Sequence, residues 1–149
     1  HCPTSNQKLA CGGTMSYPAM KEAGVDVRLG TDGSASNNSL DLRAEAKAAS
    51  LVQRHDHWDA RILGPEQTWD LATKGSQDWV TWDLSDIRMR PFGRDGRRLL
   101  SNLIYSGAKV MDVFVEGEAV RRDGRTLTLD EDKVAGELEE SVADYYQDV

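Results

Sequence analysis

The sequence contains no long apolar run. None of its segments approaches the about eighteen consecutive apolar residues that a membrane-spanning helix needs. Its first residues, H-C-P-T, also lack the charged and apolar regions of a signal peptide. We therefore expect a cytoplasmic protein that does not contact a membrane.

Cysteines and basic residues are scarce. Cys2 and Cys11 are the only cysteines and have no C-x-x-C spacing, which argues against a disulfide framework and predicts two small buried or half-buried thiols. The 25 acidic side chains outnumber the 18 basic ones, and the formal charge of −7 argues against a nucleic-acid surface. We expect an acidic protein that binds no nucleic acid.

The length limits the architecture. With 149 residues, the chain has room for one core, or for two small cores that share an interface. Because it begins at His1 rather than at methionine, we expect it to be a piece of something longer.

The stretch Val25 to Asn38 organises the chain. Alternating apolar residues predict a strand from Val25 to Gly30, and Asp32 follows among small and polar residues. Active sites of parallel α/β proteins lie at the carboxyl ends of strands, so Asp32 is a candidate catalytic group or metal ligand. The local pattern is equally compatible with an aspartate that starts a turn or caps the next helix.

Loops and a short helix are predicted around this stretch. Residues His1 to Gly13 are rich in turn formers and predict a loop. A short helix is predicted from Met15 to Ala23, with Pro18 in its first turn and Gly24 after its end. The polar run Gly33 to Asn38 predicts a second, flexible loop.

Two further helices are predicted next. Asn38 or Ser39 is expected to cap the first, which has Arg43, Glu45 and Lys47 outside an apolar stripe of Leu40, Leu42, Ala46, Ala49, Leu51 and Val52. The charged segment from Arg54 to Leu63 has no clean period. Pro65 then opens a helix that extends to about Lys74.

The segment His55-Asp56-His57 has the spacing of a metal-binding pair on a strand. Both histidines, however, lie in a charged connection with no further candidate ligands nearby. We interpret them as solvated loop residues.

Strands are predicted after Gly75. The stretches expected to form strands are Trp79 to Leu84, Val110 to Val115, Glu118 to Arg121 and Arg125 to Leu129. The last two form a predicted hairpin across Asp123-Gly124. The arginine-rich run Arg88 to Arg98 fits a solvated loop better than an anion site.

Two helices complete the prediction. A short one lies around Leu99 to Tyr105, and a closing helix extends from Glu131 to Tyr146. Thr128 or Asp130 is expected to cap the closing helix, whose apolar stripe consists of Val134, Leu138 and Val142.

Two strings of residues resemble a known family. They are H-C-P-T-S-N-Q-K-L-A from His1 and A-G-V-D-V-R-L-G-T-D-G-S-A-S-N-N-S-L-D-L-R-A-E from Ala23. They resemble the C-terminal part of the amidohydrolase superfamily, in the branch of 5-methylthioadenosine/S-adenosylhomocysteine deaminases and triazine chlorohydrolases. The similarity is strong from Pro3 to Leu51 and continues more weakly to the end, through V-M-D-V-F-V-E-G-E-A-V-R-R-D-G-R.

The resemblance implies an α/β fold, the C-terminal part of a metal-dependent (β/α)₈ barrel followed by a small β-sandwich segment and a C-terminal helix. The implied domains are residues 1–75 for the last βα units of an incomplete barrel, 76–129 for the sandwich segment and 130–149 for the helix. A (β/α)₈ barrel needs about 200 residues or more, so the chain cannot complete one.

The resemblance also implies roles for individual residues. Asp32 matches the aspartate that ligates one divalent metal, zinc or iron, and accepts a proton from the attacking water. Ser36 matches a substrate-binding serine of some members, and Thr31 and Asn37 are expected nearby. His1 matches a histidine at the barrel mouth that is not a metal ligand. The family's other metal ligands lie upstream of this segment.

The implied function is hydrolytic deamination, or dechlorination, of an amino-substituted purine or triazine-type heterocycle, with this chain inactive by itself. The alternative is a non-catalytic relic or association module. An open sheet edge and an apolar helix face would favour a homo-oligomer, or association with a missing N-terminal fragment.

Overall fold

The computed structural model describes residues 1–147. Its helices are α1 Pro3–Lys8, α2 Tyr17–Glu22, α3 Ser34–Asn37, α4 Leu42–His57, α5 Pro65–Thr73, α6 Gly96–Ser106 and α7 Glu131–Gln147. Its strands are β1 Trp79–Trp82, β2 Val110–Val115, β3 Glu118–Arg122 and β4 Arg125–Thr126. This content fits the predicted α/β class. None of the helices within residues 1–147 is long and apolar enough to cross a membrane.

The chain divides into two compact units. The first unit contains His1–Gly75 and Ser85–Ala108, and the second contains Ser76–Leu84 and the residues from Lys109 onward. The first unit is built from α1 to α6, and the second from the four strands and α7.

The segment predicted as a strand, Val25–Gly30, is extended but belongs to no sheet of the described residues. The amino group of His1 donates a hydrogen bond to the Arg28 carbonyl (2.8 Å), and the Gly30 N–H donates to the His1 carbonyl (3.0 Å). The strand prediction was wrong because a ladder needs a neighbouring strand over several residues, whereas these bonds come from one residue.

The apolar residues of this segment differ in burial. Val27 and Leu29 are buried, whereas Val25 is exposed. The Leu29 N–H donates a hydrogen bond to the Leu71 carbonyl of α5 (2.9 Å), which attaches the segment to the helical core. The end of the segment is therefore better anchored than its beginning.

The predicted loop His1–Gly13 contains α1, so the prediction was wrong for residues 3–8. Pro3 occupies the first turn of this helix, where its missing N–H leaves no intrahelical bond unmade. Cys2 is half-buried, with its Sγ 3.3 Å from the position that a Cβ on Gly30 would take. Cys11 is exposed, contrary to the prediction of a buried or half-buried thiol.

The second predicted loop, Gly33–Asn38, also contains a helical turn, α3. Asn38 ends this turn in the left-handed conformation (φ +68°) and therefore does not cap α4. Asp41 caps α4 instead of Asn38 or Ser39, and its carboxylate accepts hydrogen bonds from two backbone N–H groups.

The predictions for α2 and α5 were confirmed. Ser16 caps α2, and Gly24 follows its end in the left-handed conformation (φ +74°). Helix α5 begins at Pro65 as predicted.

The predicted stripe of α4 was wrong in half of its residues. Leu40 is 70 % exposed, Leu42 and Leu51 are exposed, and Glu45, predicted on the outside, is 1 % exposed. The core face of α4 is built from small residues, because Ala46 and Ala49 pack with Leu29, Leu63 and Ile104. Small side chains allow α4 to lie close to α5 and α6.

The arginine-rich run Arg88–Arg98 is partly ordered by helical turns. The Met89 side chain is buried in a 3₁₀ turn, Ile87–Met89, and α6 begins three residues earlier than predicted. Arg88 forms an ion pair with Asp86 (2.6 Å), and Arg97 forms one with Glu66 (2.8 Å). These pairs neutralise part of the charge that an anion site would need.

The second unit contains an antiparallel sheet in the order β1-β2-β3-β4. Trp79 and Phe114 stack across β1 and β2, with ring centroids 3.8 Å apart. The predicted hairpin was confirmed. Asp123 and Gly124 both have positive φ, as a two-residue hairpin turn requires, although β4 ends earlier than predicted.

Helix α7 begins as predicted. The Asp130 carboxylate accepts a hydrogen bond from the Lys133 N–H (3.1 Å), which identifies Asp130 rather than Thr128 as the cap. The apolar stripe of Val134, Leu138 and Val142 is exposed.

Two aspartates make the stability of the fold sensitive to acid. Hydrogen bonds from the Arg61 side chain and backbone lower the pKa of Asp59 from its ordinary 3.8 to about 2, and Arg88 lowers the pKa of Asp86 to about 2 in the same way. Because these values lie below those of the unfolded chain, both carboxylates contribute stability above pH 3.8 that is lost as the pH falls towards 2.

We expect NMR titration of both carboxyl carbons to give midpoints near 2 in the folded chain. In the variant Arg61→Gln, the Asp59 midpoint should rise towards 3.8 while that of Asp86 stays low. A wild-type Asp59 midpoint near 3.8 would contradict this account.

Candidate functional site at Asp32

Asp32 follows the extended segment and is held in the left-handed conformation (φ +61°). This backbone conformation is uncommon for residues other than glycine, although aspartate and asparagine adopt it more readily than most. Asp32 is exposed. Its carboxylate is therefore open to solvent at the place where the sequence predicted a functional group.

Three donors hold the Asp32 carboxylate. Its Oδ2 atom accepts hydrogen bonds from Ser5 Oγ (2.7 Å) and Ser36 Oγ (2.9 Å). Its Oδ1 atom accepts one from the Gly33 N–H (2.8 Å). In order of importance, the bonds from Ser5, Ser36 and Gly33 lower the pKa of Asp32, because each stabilises the ionised form. Asp32 is thus a fixed, ionised carboxylate at neutral pH.

Ser36, the predicted substrate-binding residue, lies directly beside Asp32. Its hydroxyl is also 2.9 Å from the Gly33 carbonyl. Because the hydroxyl has only one hydrogen, the Ser36 side chain can donate a full hydrogen bond to only one of the two acceptors, Asp32 or Gly33, at a time.

Thr31 and Asn37 also lie next to Asp32. The Thr31 hydroxyl donates a hydrogen bond to the Asp32 carbonyl (3.1 Å), and Asn37 Nδ2 donates one to the Thr31 carbonyl (2.8 Å). Asn37 is buried and Thr31 is half-buried, so this bond is partly shielded from water. The two residues support the backbone that presents Asp32.

Sequence reasoning missed three residues of this site. Ser5 donates to Asp32, Thr4 donates its N–H to Glu45, and Glu45 accepts a further bond from Asn37. Two signals were available. Pro3 is typical of a first helical turn and thus indicated the helix that carries Thr4 and Ser5. Glu45 interrupts an otherwise alanine-rich helical face.

The two histidines of the predicted charged loop lie in the last turn of α4, so the loop assignment was wrong. Side chains two residues apart on a helix are rotated by about 200° around its axis and lie on nearly opposite faces. His55 and His57 therefore do not face one ion. His57 Nε2 lies 3.3 Å from Ser16 Oγ, and His55 is exposed.

Asp32 fits the role of one metal ligand. It offers an exposed, ionised carboxylate whose Oδ1 atom accepts a single hydrogen bond, and divalent metals bind such oxygens. Residues 1–147 contain no group of three or more histidine, cysteine, aspartate or glutamate side chains that could hold a metal. Asp32 could therefore supply only part of a complete ligand set.

Curated proteins similar to this chain carry deaminase names. The 5-methylthioadenosine/S-adenosylhomocysteine deaminase 1 of Archaeoglobus fulgidus is 37 % identical over 142 residues, covering 83 % of this chain and 33 % of that protein. The corresponding enzyme of Bacillus thuringiensis strain Al Hakam is 36 % identical over 153 residues, covering 90 % of this chain and 34 % of that protein. The chain spans about a third of the length of these relatives.

Two solved structures are also similar. An adenosine deaminase from Xanthomonas campestris, crystallised with bound zinc, superposes with a TM-score of 0.87 at 29 % identity over all of this chain and 37 % of its own. An amidohydrolase from a Sargasso Sea environmental sample gives a TM-score of 0.69 at 25 % identity, over 99 % of this chain and 36 % of its own.

The family assignment follows from these matches. Residues 1–82, more than half of the chain, match the amidohydrolase family, and this match includes Asp32 and its three donors. The resemblance noted in the sequence is therefore confirmed, and the chain belongs to the amidohydrolase family.

Proposed function

We propose that this chain is the C-terminal part of a metal-dependent hydrolase that deaminates a small amino-substituted heterocycle. The observation that carries the proposal is the exposed Asp32 carboxylate, which Ser5, Ser36 and Gly33 hold in its ionised form. The deaminase names of the relatives favour deamination over dechlorination, and purines over triazines.

The proposed architecture assigns residues 1–75 to the last βα units of a barrel, 76–129 to a small β-sandwich segment and 130–149 to a C-terminal helix. Residues 85–108, within the second range, belong to the first compact unit, and residues 148 and 149 lie outside the described part of the chain. The TM-score of 0.87 to a zinc-containing adenosine deaminase supports this assignment. In the whole enzyme that we propose, Val25–Gly30 would pair with strands from outside this chain, and Asp32 would then lie at the carboxyl end of a barrel strand, where catalytic residues of such barrels lie.

Asp32 supplies a metal ligand and a proton acceptor, and the reaction needs both. Hydrolytic deamination replaces a carbon–nitrogen bond with a carbon–oxygen bond, and a proton must move from the attacking water to the departing amine. A bound divalent metal makes that water more acidic. Oδ1 accepts one hydrogen bond, from Gly33, and has one position left that could ligate the metal. Oδ2 could then accept the proton when the Ser36 hydroxyl turns from Asp32 to the Gly33 carbonyl.

The proposed role of Ser36 is to bind substrate close to this carboxylate. Its hydroxyl has two possible acceptors, Asp32 and Gly33, and turning it towards a heterocycle would leave Asp32 with Ser5 and Gly33 as donors.

A chimera tests the proposal. Residues 1–149 replace the matching C-terminal part of the Archaeoglobus fulgidus relative, and ammonia release from 5-methylthioadenosine and zinc content are measured. We expect the chimera to bind zinc and release ammonia, and this chain alone to do neither, because residues 1–147 contain no complete metal-ligand group. A folded, zinc-loaded chimera without deaminase activity, or deamination by the chain alone, would refute the proposal.

A non-catalytic association module is the second candidate. Large apolar side chains are exposed on α4 in the first unit and on α7 in the second, and exposed apolar residues of either helix could bind a second protein surface. We expect light scattering of the chain alone to give a mass above 16.5 kDa that rises with concentration. A single monomeric species at all concentrations would remove the support for self-association.

A further inference from the structure

Glu45 is the most deeply buried carboxylate of the candidate site. Glu45 is 1 % exposed and forms no ion pair within the described residues. Burying a charge without an ion pair is unfavourable unless hydrogen bonds compensate. The position of Glu45 in the first turn of α4 also favours a negative charge.

One oxygen of Glu45 binds the segment that carries Ser5. Glu45 Oε2 accepts a hydrogen bond from the Thr4 N–H (3.1 Å). The next residue, Ser5, is buried and donates to Asp32 Oδ2 (2.7 Å). Glu45 thus fixes the backbone immediately before the strongest donor to Asp32.

The other oxygen binds the segment that carries Asp32 itself. Glu45 Oε1 accepts a hydrogen bond from Asn37 Nδ2 (2.8 Å), and the same amide donates to the Thr31 carbonyl (2.8 Å). Both Nδ2 hydrogens of Asn37 are therefore used. Thr31 immediately precedes Asp32, whose left-handed backbone conformation needs support from its neighbours.

We propose that Glu45 is a positioning residue that clamps the Ser5 segment and the Thr31-Asp32 segment together. It does not touch the reacting atoms and acts through Thr4 and Asn37. Its importance for catalysis rests on the proposed function of Asp32, whereas its effect on the geometry of Asp32 does not.

The variant Glu45→Gln tests the clamp in the 149-residue chain without metal. Glutamine has the same shape, but its amide group would face either Thr4 N–H or Asn37 Nδ2, so a donor meets a donor and one link breaks. We expect NMR shifts of the Asp32 carboxyl carbon and the Gly33 amide to change. The control Glu66→Gln removes an exposed carboxylate on α5 and should leave both signals in place.

A second variant covers the case in which Glu45→Gln does not fold. Asn37→Ala removes the link to Thr31 but leaves the Glu45–Thr4 bond. We expect the same two signals to move while the Thr4 amide keeps its protection from hydrogen exchange. Unmoved Asp32 and Gly33 signals in a folded Glu45→Gln, or in Asn37→Ala if the former unfolds, would overturn the clamp.

The chimera separates this inference from the proposed function. In the chimera, Glu45→Gln should lower kcat at least about tenfold and leave KM unchanged, because only the placement of Asp32 is altered. Equal kcat for this variant and the parent would overturn the catalytic part of the inference. If the folded, zinc-loaded chimera is inactive, the proposed function fails, and the NMR result still decides the clamp.

Discussion

Replacing Asp32 with asparagine in the chimera is expected to lower kcat by at least about a hundredfold. The asparagine amide has the size of the carboxylate but cannot accept the proton of the attacking water. It is also neutral, so it holds a divalent metal less tightly, and the zinc content should fall. Both effects follow from the charge of a group that Ser5, Ser36 and Gly33 keep ionised.

The control for this experiment is Asp26→Asn. Asp26 lies on the same extended segment and undergoes the same chemical change, but its carboxylate is exposed and pairs with Arg28 (2.9 Å) and Lys74 (3.5 Å). We expect kcat and zinc content close to those of the parent chimera. Steady-state ammonia release and elemental analysis measure both. If Asp32→Asn retains the activity of the control, Asp32 does not have the role proposed for it.

Replacing Ile104 with alanine is expected to lower the free energy of unfolding of the first unit by about 2–5 kcal/mol. Ile104 is 0 % exposed and packs in the cluster of Leu29, Ala46, Ala49 and Leu63. The removed atoms leave a cavity that the surrounding helices can close only in part. Urea denaturation followed by circular dichroism measures the change.

Ile87→Ala provides the matched control, because the same substitution is made at a side chain that is 81 % exposed in the same unit. Its effect should be within about 0.5 kcal/mol. A loss for Ile104→Ala no larger than that for Ile87→Ala would show that the cluster around Ile104 contributes little to stability.

Local chemistry explains why several elements were predicted correctly. Pro65 starts α5 because its fixed φ suits a first helical turn, and Asp123-Gly124 makes a hairpin because both residues tolerate positive φ. Asp130 caps α7 through a bond to a residue only three positions away. Each of these features depends on neighbours in the sequence and can be read without a fold.

The errors have a different physical origin. Burial on α4 depends on which helices pack against it, so Leu42 and Leu51 are exposed while Glu45 is buried. Likewise, Val25–Gly30 has strand-like residues, but a strand also requires a partner along its length. Apolar periodicity indicates which residues favour burial, but it does not identify the helices or strands that pack against them.

The candidate site shows the same division. The residues G-T-D-G-S-A-S in the sequence identify Asp32 and Ser36 as a candidate pair, because they lie four residues apart and resemble a known motif. The other half of the site depends on distant contacts: Ser5 lies 27 positions from Asp32, and Thr4 lies 41 positions from Glu45. Such bonds form only after α1 and α4 have packed together, since a hydrogen bond needs its donor within about 3 Å of the acceptor. The sequence by itself thus identified the carboxylate and placed Gly33 and Ser36 beside it, whereas tertiary packing added Ser5 as its third donor.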